Sequence, residues 1–191
     1  LQMLTFAREL AGRMDVPLAA LLVGGEARRL ADDLKPYGVV RVFLAEDDRL
    51  SAYAPEAWAR AALQVMGEKH PTVVLAAGTD RGNEVMGHVG AMSGLPVAAN
   101  CSEMHPGEPF RVTRLRWGSS LLEEAVLAGE PRLATVALHV VEPEEAPSPG
   151  EGAVEAFSPA FEENDFRVQV QGLEETVTEG STRKTAPGVI G

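Results

Sequence analysis

The sequence predicts an α/β fold in which a mostly parallel β-sheet carries helices on both faces. Short apolar runs such as residues 72–77 lack apolar–polar alternation, as in strands that are buried on both faces. Segments with helical spacing of apolar residues lie between these runs, and the connections are short and rich in glycine and proline. This alternation indicates parallel strands joined by right-handed crossovers.

The first half of the chain supplies the alternating elements. A helix is predicted for residues 1–13, and because its pattern is already under way at Leu1, we expect a strand before it to complete the alternation. Strands are predicted for residues 17–23, 39–44, 72–77 and 96–99, and helices for residues 26–34, 55–68 and 81–92. The residues expected to be buried are Leu21, Leu22, Val42, Leu44, Val73, Val74 and Leu75.

The second half of the chain has a different pattern. Residues 110–117 alternate apolar and basic side chains, which predicts a half-buried strand, and residues 133–141 predict another. Residues 121–127 fit a helix or a strand equally well. We therefore expect a Rossmann-like domain over residues 1–141, with a small β extension.

An acidic segment follows that domain. Residues 142–165 hold eight acids, four prolines and no Lys, Arg or His, which predicts a solvated connector that is mobile or lies along the surface. Residues 166–191 are expected to hold a final strand at 166–170 and a linker towards a further domain.

Charge and composition exclude several classes of partner. The net charge of −11 argues against nucleic acid and anionic membranes, which are bound through clusters of Lys and Arg. No apolar run approaches the roughly 20 residues that a membrane span requires. Cys101 is the only cysteine, so an internal disulfide is impossible and an intracellular compartment is favoured.

Two turns lie where ligands meet an open α/β sheet. Gly24 and Gly25 stand between a strand and a helix, but no complete phosphate-binding motif is present, and a tight turn is the favoured interpretation. The turn at Gly78–Glu84, with Arg81 and Gly82, is richer in polar residues. It predicts an N-cap at Thr79 or Asp80, closed by Asn83 or Glu84, an interface role, or both.

Side chains that could carry chemistry are scattered. Cys101 and His105 are too few for a zinc site, and Glu84 and His88 predict an ion pair on one helix face. Arg111, Arg114 and Arg116 form a small basic stripe, with Arg114 and Arg116 on one strand face and Arg111 on the other, and they are expected to meet acids of this chain. No catalytic, cofactor-binding or metal-binding residue is assigned, and we expect a protein without catalytic residues of its own.

Several stretches, taken in order, resemble the amino-terminal domain of electron transfer flavoprotein α subunits. They are the helix through Leu10-Ala11, Tyr37-Gly38 before a strand, Tyr53-Ala54-Pro55, the Arg81-Gly82 turn, Leu95–Cys101, Trp117-Gly118-Ser119 and the strand ending at Thr135-Val136. Two positions depart from the family pattern: Ala137 replaces an arginine, and the Trp117 turn has one glycine instead of two.

The resemblance implies the adenine nucleotide α hydrolase-like variant of the Rossmann fold, with residues 121–127 as a strand. It implies a scaffold that binds an electron transfer flavoprotein β subunit, with FAD held by a carboxyl-terminal domain outside this sequence. The complex would carry electrons from dehydrogenases, such as acyl-CoA dehydrogenases, to a membrane quinone reductase. It would work in the bacterial cytoplasm or the mitochondrial matrix. The alternative is a stand-alone nucleotide-binding domain of the universal-stress-protein type.

Overall fold

The computed structural model describes residues 1–170 of the chain. Four α-helices lie in that range: α1 (Gln2–Met14), α2 (Ala31–Leu34), α3 (Pro55–Lys69) and α4 (Asp80–Ser93). The same range holds eight strands: β1 (Ala19–Val23), β2 (Arg41–Ala45), β3 (Val73–Ala77), β4 (Val97–His105), β5 (Arg111–Arg116), β6 (Leu121–Val126), β7 (Arg132–Val136) and β8 (Ala153–Phe157).

Local chemistry explains where the helices begin and end. Pro55 opens α3, where its missing N–H would have no partner in any case. Gly94 closes α4 with a left-handed φ of 71°, a conformation that glycine adopts without a Cβ penalty. The helix predicted for residues 26–34 is mostly a 3-10 helix, Gly25–Leu30, followed by the single turn of α2. Helix α2 ends at Leu34, before Pro36, as the sequence predicts.

The strands form two sheets instead of the single sheet predicted. The smaller sheet has the order β1-β2-β8, and all of its strands are parallel. The larger sheet has the order β3-β7-β4-β5-β6, parallel through β4 and antiparallel beyond it. The α/β, Rossmann-like fold is confirmed, and the β5–β6 hairpin is the predicted small extension. Residues 121–127, which left helix and strand open, form strand β6.

Two helices join the sheets, one on each face. On one face, α1 packs Leu4 against Val42 of the smaller sheet and Leu10 against the apolar side chains of the larger sheet. On the other face, α3 places Ala57 on the smaller sheet and Met66 on the larger. The two sheets therefore lie side by side between α1 and α3, although the strands described in residues 1–170 do not pair from one sheet to the other.

The burial prediction is correct for β2 and wrong for β1 and β3. Val42 and Leu44 are fully buried. The other residues of the predicted set are only half-buried: Leu21, Leu22, Val73, Val74 and Leu75. The physical reason is that β1 and β3 each have a strand on one side only within residues 1–170, so solvent reaches their other edge.

The acidic segment is more ordered than a solvated connector. Its residues Ala153–Phe157 form β8, which pairs in parallel with β2. Near its end, Asp165 is 3% exposed and accepts hydrogen bonds from Arg60 of α3. Residues 153–157, Ala-Val-Glu-Ala-Phe, supply the strand, and a basic partner from α3 neutralises the buried acid.

The strand predicted for residues 166–170 is not formed. Phe166 ends a 3-10 turn, Glu163–Phe166, and packs edge-on against Phe161 at 5.0 Å. Alternation of apolar residues over so short a segment is compatible with a strand, but it does not show that a neighbouring strand is available for pairing.

Residues 171–191, with the predicted linker, lie outside the described range. Within residues 1–170, the length and hydropathy of the helices do not suffice for a bilayer span.

We predict that Asp165→Asn lowers the free energy of unfolding by about 2 kcal/mol, because it weakens charge-assisted hydrogen bonds at a buried carboxylate. Urea denaturation monitored by circular dichroism measures the change. Glu163→Gln, an exposed acid in the same 3-10 turn, is the matched control. Equal denaturation midpoints for the two variants would show that the Arg60–Asp165 contact does not stabilise the end of this segment.

Candidate functional site

The carboxyl edge of the larger sheet holds a cavity of about 570 Å³. It lies where β3 and β7 end and beside the turn of the β5–β6 hairpin. The lining includes Gly78, Asn100, Arg116, Trp117, Leu138 and His139. Open α/β sheets place ligands and partners at this edge, so the cavity marks the candidate site.

A polar network supports the wall of this cavity. The Thr135 hydroxyl, which is fully buried, donates to the Asn83 side chain at 2.6 Å and accepts from the Asn100 backbone N–H at 2.8 Å. Strand β4 shifts its register at this point, and Asn100 has a φ of 57°. The network thus connects α4, β4 and β7 at one point below the candidate site.

Gly78 allows the strands to approach closely there. Its N–H donates to the Val136 carbonyl oxygen at 2.7 Å. A Cβ at this position would lie 2.7 Å from that oxygen and from the Asn100 side-chain oxygen. A larger residue would push β3 away from β7, so the absence of a side chain sets the shape of the edge.

The turn that opens α4 is capped by Thr79, as predicted. The Thr79 hydroxyl accepts the Gly82 N–H at 3.1 Å. The predicted closure of the cap by Asn83 or Glu84 is wrong. The third helical position is Gly82, which has no side chain and packs against the Ala77 carbonyl, while Asn83 turns inward to Thr135.

Arg81 is exposed and its guanidinium lies over an aromatic ring. Its guanidinium carbon is 4.7 Å from the centre of the Tyr53 ring, and the Tyr53 hydroxyl donates to Glu84 at 2.6 Å. Partial burial, followed by the Glu84 hydrogen bond, raises the pKa of Tyr53, so the phenol stays protonated. Glu84 therefore pairs with Tyr53 instead of the predicted His88. Sequence reasoning missed the role of Tyr53 because it lies 28 residues before Arg81.

The hairpin turn at Trp117 presents an exposed apolar surface. Trp117, Gly118 and Ser119 all have positive φ values, and Trp117 is 82% exposed. Next to it, β6 is the outermost strand of the larger sheet within residues 1–170. We define the hairpin patch as the exposed apolar side chains Trp117, Leu121, Leu122 and Val126. Leu122 and Val126 lie on one face of β6 and Leu121 on the other, so these side chains surround the outer edge of the sheet next to Trp117.

Two of the three arginines predicted to meet acids of this chain do so, while Arg111 makes no ion pair within residues 1–170. Arg114 and Arg116 both pair with Glu123, at 3.5 Å and 3.3 Å. Arg114 also donates to the Ala99 carbonyl at 3.1 Å. These contacts order the hairpin and leave its apolar side chains as the main feature of its surface.

The diglycine turn at Gly24-Gly25 forms a tight turn. The Gly24 N–H donates to the Ala45 carbonyl at 2.9 Å, and a 3-10 helix follows instead of an α-helix.

A second depression, of about 510 Å³, contains three neighbouring acids, Glu46, Asp47 and Asp48. Negative charge there disfavours a phosphate.

The groups with chemical reactivity do not converge in the described range. Cys101 is buried, and burial raises the pKa of its thiol to about 11, so it is uncharged at neutral pH. His105 and Glu103, two exposed residues near the end of β4, lie 3.1 Å apart. Within residues 1–170, no three His, Cys, Asp or Glu side chains form a group suited to a metal.

We predict that Thr135→Val destabilises the fold by about 2 kcal/mol, because it leaves the Asn83 oxygen and the Asn100 N–H without their partner. Chemical denaturation measures the loss. Thr113→Val in β5 is the control, since the Thr113 side chain makes no hydrogen bond within residues 1–170 and is half-buried. The role of the network is refuted by an equal, small effect of both substitutions.

Comparison with known proteins places these features in a family. The family model described as "Electron transfer flavoprotein domain" matches residues 1–162. The electron transfer flavoprotein subunit alpha of Megasphaera elsdenii is 25% identical over 193 aligned positions, covering 99% of this chain and 57% of the relative.

Two further relatives show the range of the family. Protein FixB of Bradyrhizobium diazoefficiens is 30% identical over 135 positions, which cover 68% of this chain and 37% of the relative. The lactate dehydrogenase (NAD(+),ferredoxin) subunit LctC of Acetobacterium woodii is 27% identical over 133 positions, covering 68% of this chain and 32% of the relative. The chain spans about half the length of the α subunits that it matches. Because the match runs through both sheets and the candidate site, the chain belongs to the electron transfer flavoprotein family.

Proposed function

We propose that this chain is the amino-terminal part of an electron transfer flavoprotein α subunit and that it acts as a scaffold and subunit interface. The observation that carries the proposal is the exposed Trp117 of the hairpin patch beside the cavity at the carboxyl edge. A tryptophan offers a large contact area at a low cost in side-chain entropy, and exposed tryptophans are common interface anchors. The partner in this proposal is the β subunit of the same protein.

Arg81 forms a second point of contact in the same proposal. Stacking on Tyr53 holds the guanidinium in one orientation before a partner arrives, which reduces the entropy lost on binding. Its planar set of N–H donors suits a carboxylate or backbone carbonyls of the partner.

The intact complex would carry electrons from dehydrogenases, such as acyl-CoA dehydrogenases, to a membrane quinone reductase. Membership of the family supports an electron carrier, and the relative named as a lactate dehydrogenase subunit supports dehydrogenases as partners. The single cysteine favours the bacterial cytoplasm, or the mitochondrial matrix in a eukaryote.

FAD is proposed to bind in a carboxyl-terminal domain of the intact protein. The turns at the sheet edges in this chain do not fit the pyrophosphate of a dinucleotide. Asp80 places a carboxylate in the first turn of α4, and the Gly82 N–H already donates a hydrogen bond to the Thr79 hydroxyl. A phosphate at that terminus would meet like charge and a satisfied donor. The scaffold would support the flavin site without supplying its ligands.

We predict that purified residues 1–191 contain no flavin. The protein should be colourless, with no absorbance band of oxidised flavin above the baseline, after expression in flavin-replete cells. Acid extraction followed by fluorescence measures any released FAD. A preparation that binds FAD with one-to-one stoichiometry would overturn the assignment of the cofactor to another domain.

We predict that Trp117→Ala and Arg81→Ala in the intact heterodimer each weaken subunit association by about 2 kcal/mol, a roughly 30-fold rise in dissociation constant. Dilution-dependent dissociation and the flavin retained after gel filtration measure the effect. Denaturation midpoints of residues 1–191 should stay at the wild-type value, because both side chains are exposed.

The matched controls are Met92→Ala and Arg13→Ala, exposed residues at the carboxyl-terminal ends of α4 and α1, away from the candidate site. Association should be unaffected in both. Association and flavin content that stay at wild-type levels in Trp117→Ala and Arg81→Ala would remove this edge from the interface.

A further inference from the structure

The segment that follows β8 lies along one side of α3, and we call its residues 158–170 the strap. It contacts a stripe of residues on and just before this helix, spaced three or four apart: Tyr53, Glu56, Arg60 and Gln64. The strap runs antiparallel to α3, since its contacts begin with Ala160 near the end of the helix and finish with Val170 just before the helix starts.

Two polar contacts hold the first part of the strap. The Gln64 side chain donates to the Ala160 carbonyl at 2.7 Å and accepts from the Ala160 N–H at 3.0 Å. Further along, two nitrogens of Arg60 donate to one oxygen of the buried Asp165, both at 3.2 Å. The backbone and a buried carboxylate of the strap are therefore both bound to the helix.

The contact between Arg167 and Glu56 holds the second part. Glu56 is 8% exposed, and Arg167 donates to one of its carboxylate oxygens at 2.8 Å. The other oxygen has no partner within residues 1–170. Removal of the Arg167 guanidinium would therefore leave a buried charge without its cation, which is costly.

Aromatic packing adds to these polar contacts. Phe161 and Phe166 of the strap belong to the apolar cluster on the smaller sheet that also includes Trp58 of α3. The Arg49 guanidinium lies over both phenylalanine rings, 5.2 Å and 4.8 Å from their centres. Asp47 accepts two hydrogen bonds from that guanidinium, so the cation is held in place above the strap.

The strap reaches the candidate site through Tyr53. This residue lies outside any helix or strand, so the regular elements do not fix its position. The Val170 N–H donates to its carbonyl at 2.9 Å, and Trp58 packs edge-on against its ring with the ring centres 5.0 Å apart. The guanidinium of Arg81 lies over the same ring. The residue beneath Arg81 is thus held by the strap and by the apolar cluster that the strap completes.

We propose that the strap positions Arg81 for the partner. While the strap lies on α3, it holds Tyr53, and thereby the guanidinium over the Tyr53 ring, in the orientation that the partner recognises. This inference rests on the proposed function, which makes Arg81 part of the interface. Arg167 is then a positioning residue that acts through Tyr53. Because coupling between two sites is reciprocal, binding of the partner also stabilises the closed strap.

Association of the intact heterodimer tests the proposal. Arg167→Ala should raise the dissociation constant about fivefold. Val170→Pro, which removes the N–H bound to the Tyr53 carbonyl, should act in the same direction. Arg167→Lys should keep wild-type association, because one nitrogen of Arg167 contacts Glu56 and an ammonium can replace it. Arg13→Ala removes an exposed arginine of α1 and is the control for loss of charge.

A double-mutant cycle separates positioning from a general loss of structure. In the Arg81→Ala background, Arg167→Ala should have no further effect on association, because the side chain that it positions is gone. In the Trp117→Ala background, Arg167→Ala should still raise the dissociation constant about fivefold, because Trp117 lies on the hairpin and not on the strap.

Trp58 fluorescence shows whether the strap is closed. In residues 1–191 with Trp117→Phe, Trp58 is the only tryptophan. Addition of Arg167→Ala should shift its emission to longer wavelength, because a loosened strap admits water to an indole in the cluster of Phe161 and Phe166. Addition of Arg167→Lys should leave the emission unchanged.

The outcomes distinguish this inference from the proposed function. If Arg81→Ala leaves association at the wild-type level, the interface is wrong and the role of the strap falls with it. If Arg81→Ala weakens association while Arg167→Ala does not, or if their effects simply add, only the role of the strap is overturned. Unchanged Trp58 emission with Arg167→Ala would also overturn it, because the strap would then stay closed without this contact.

Discussion

The fold depends on the burial of apolar side chains of α1 and α3 across two separate sheets. No strand-to-strand hydrogen bond joins the sheets within residues 1–170, so the two helices carry the connection between them. The alanines of α3 at positions 57, 59 and 61 are fully buried, and their small size lets the helix lie close to both sheets. Close packing of this kind makes the relative position of the sheets sensitive to single core substitutions.

The arrangement of the sheets also positions the polar and aromatic residues of the candidate site. With β3, β4 and β7 held parallel, their carboxyl ends meet, and the Thr135 network ties them to α4. Beside this network, the Arg81 guanidinium lies over the Tyr53 ring and Trp117 is exposed to solvent. Side chains that are preorganised and exposed suit recognition of a protein partner, because little conformational freedom is lost on binding.

The structure of the acidic segment depends both on its local composition and on its tertiary contacts. Eight acids in residues 142–165 predict a solvated stretch with little apolar area to bury. The segment is nevertheless anchored, because β2 offers an open edge to β8 and Arg60 offers a cation to Asp165. Both partners lie about a hundred residues earlier in the chain, beyond the reach of any local pattern.

The sequence by itself determined the α/β class, the boundaries of α1, α3 and α4 to within two residues, and an N-cap at Thr79 or Asp80, of which the structure uses Thr79. These features follow from periodicity, from proline and glycine, and from side chains that hydrogen bond within one turn, all of which act over a few residues. The order of the residues at Arg81-Gly82 and Trp117-Gly118 also carried the family resemblance.

Only the tertiary structure decided that there are two sheets, that Leu21 and Leu75 are half-exposed and that Tyr53 lies between Arg81 and Glu84. An apolar run shows that a strand is compatible with burial on both sides, but it does not show which neighbour is present. Strand pairing, edge exposure and stacking are set by contacts between segments far apart in the chain, so they depend on how α1 and α3 place the two sheets.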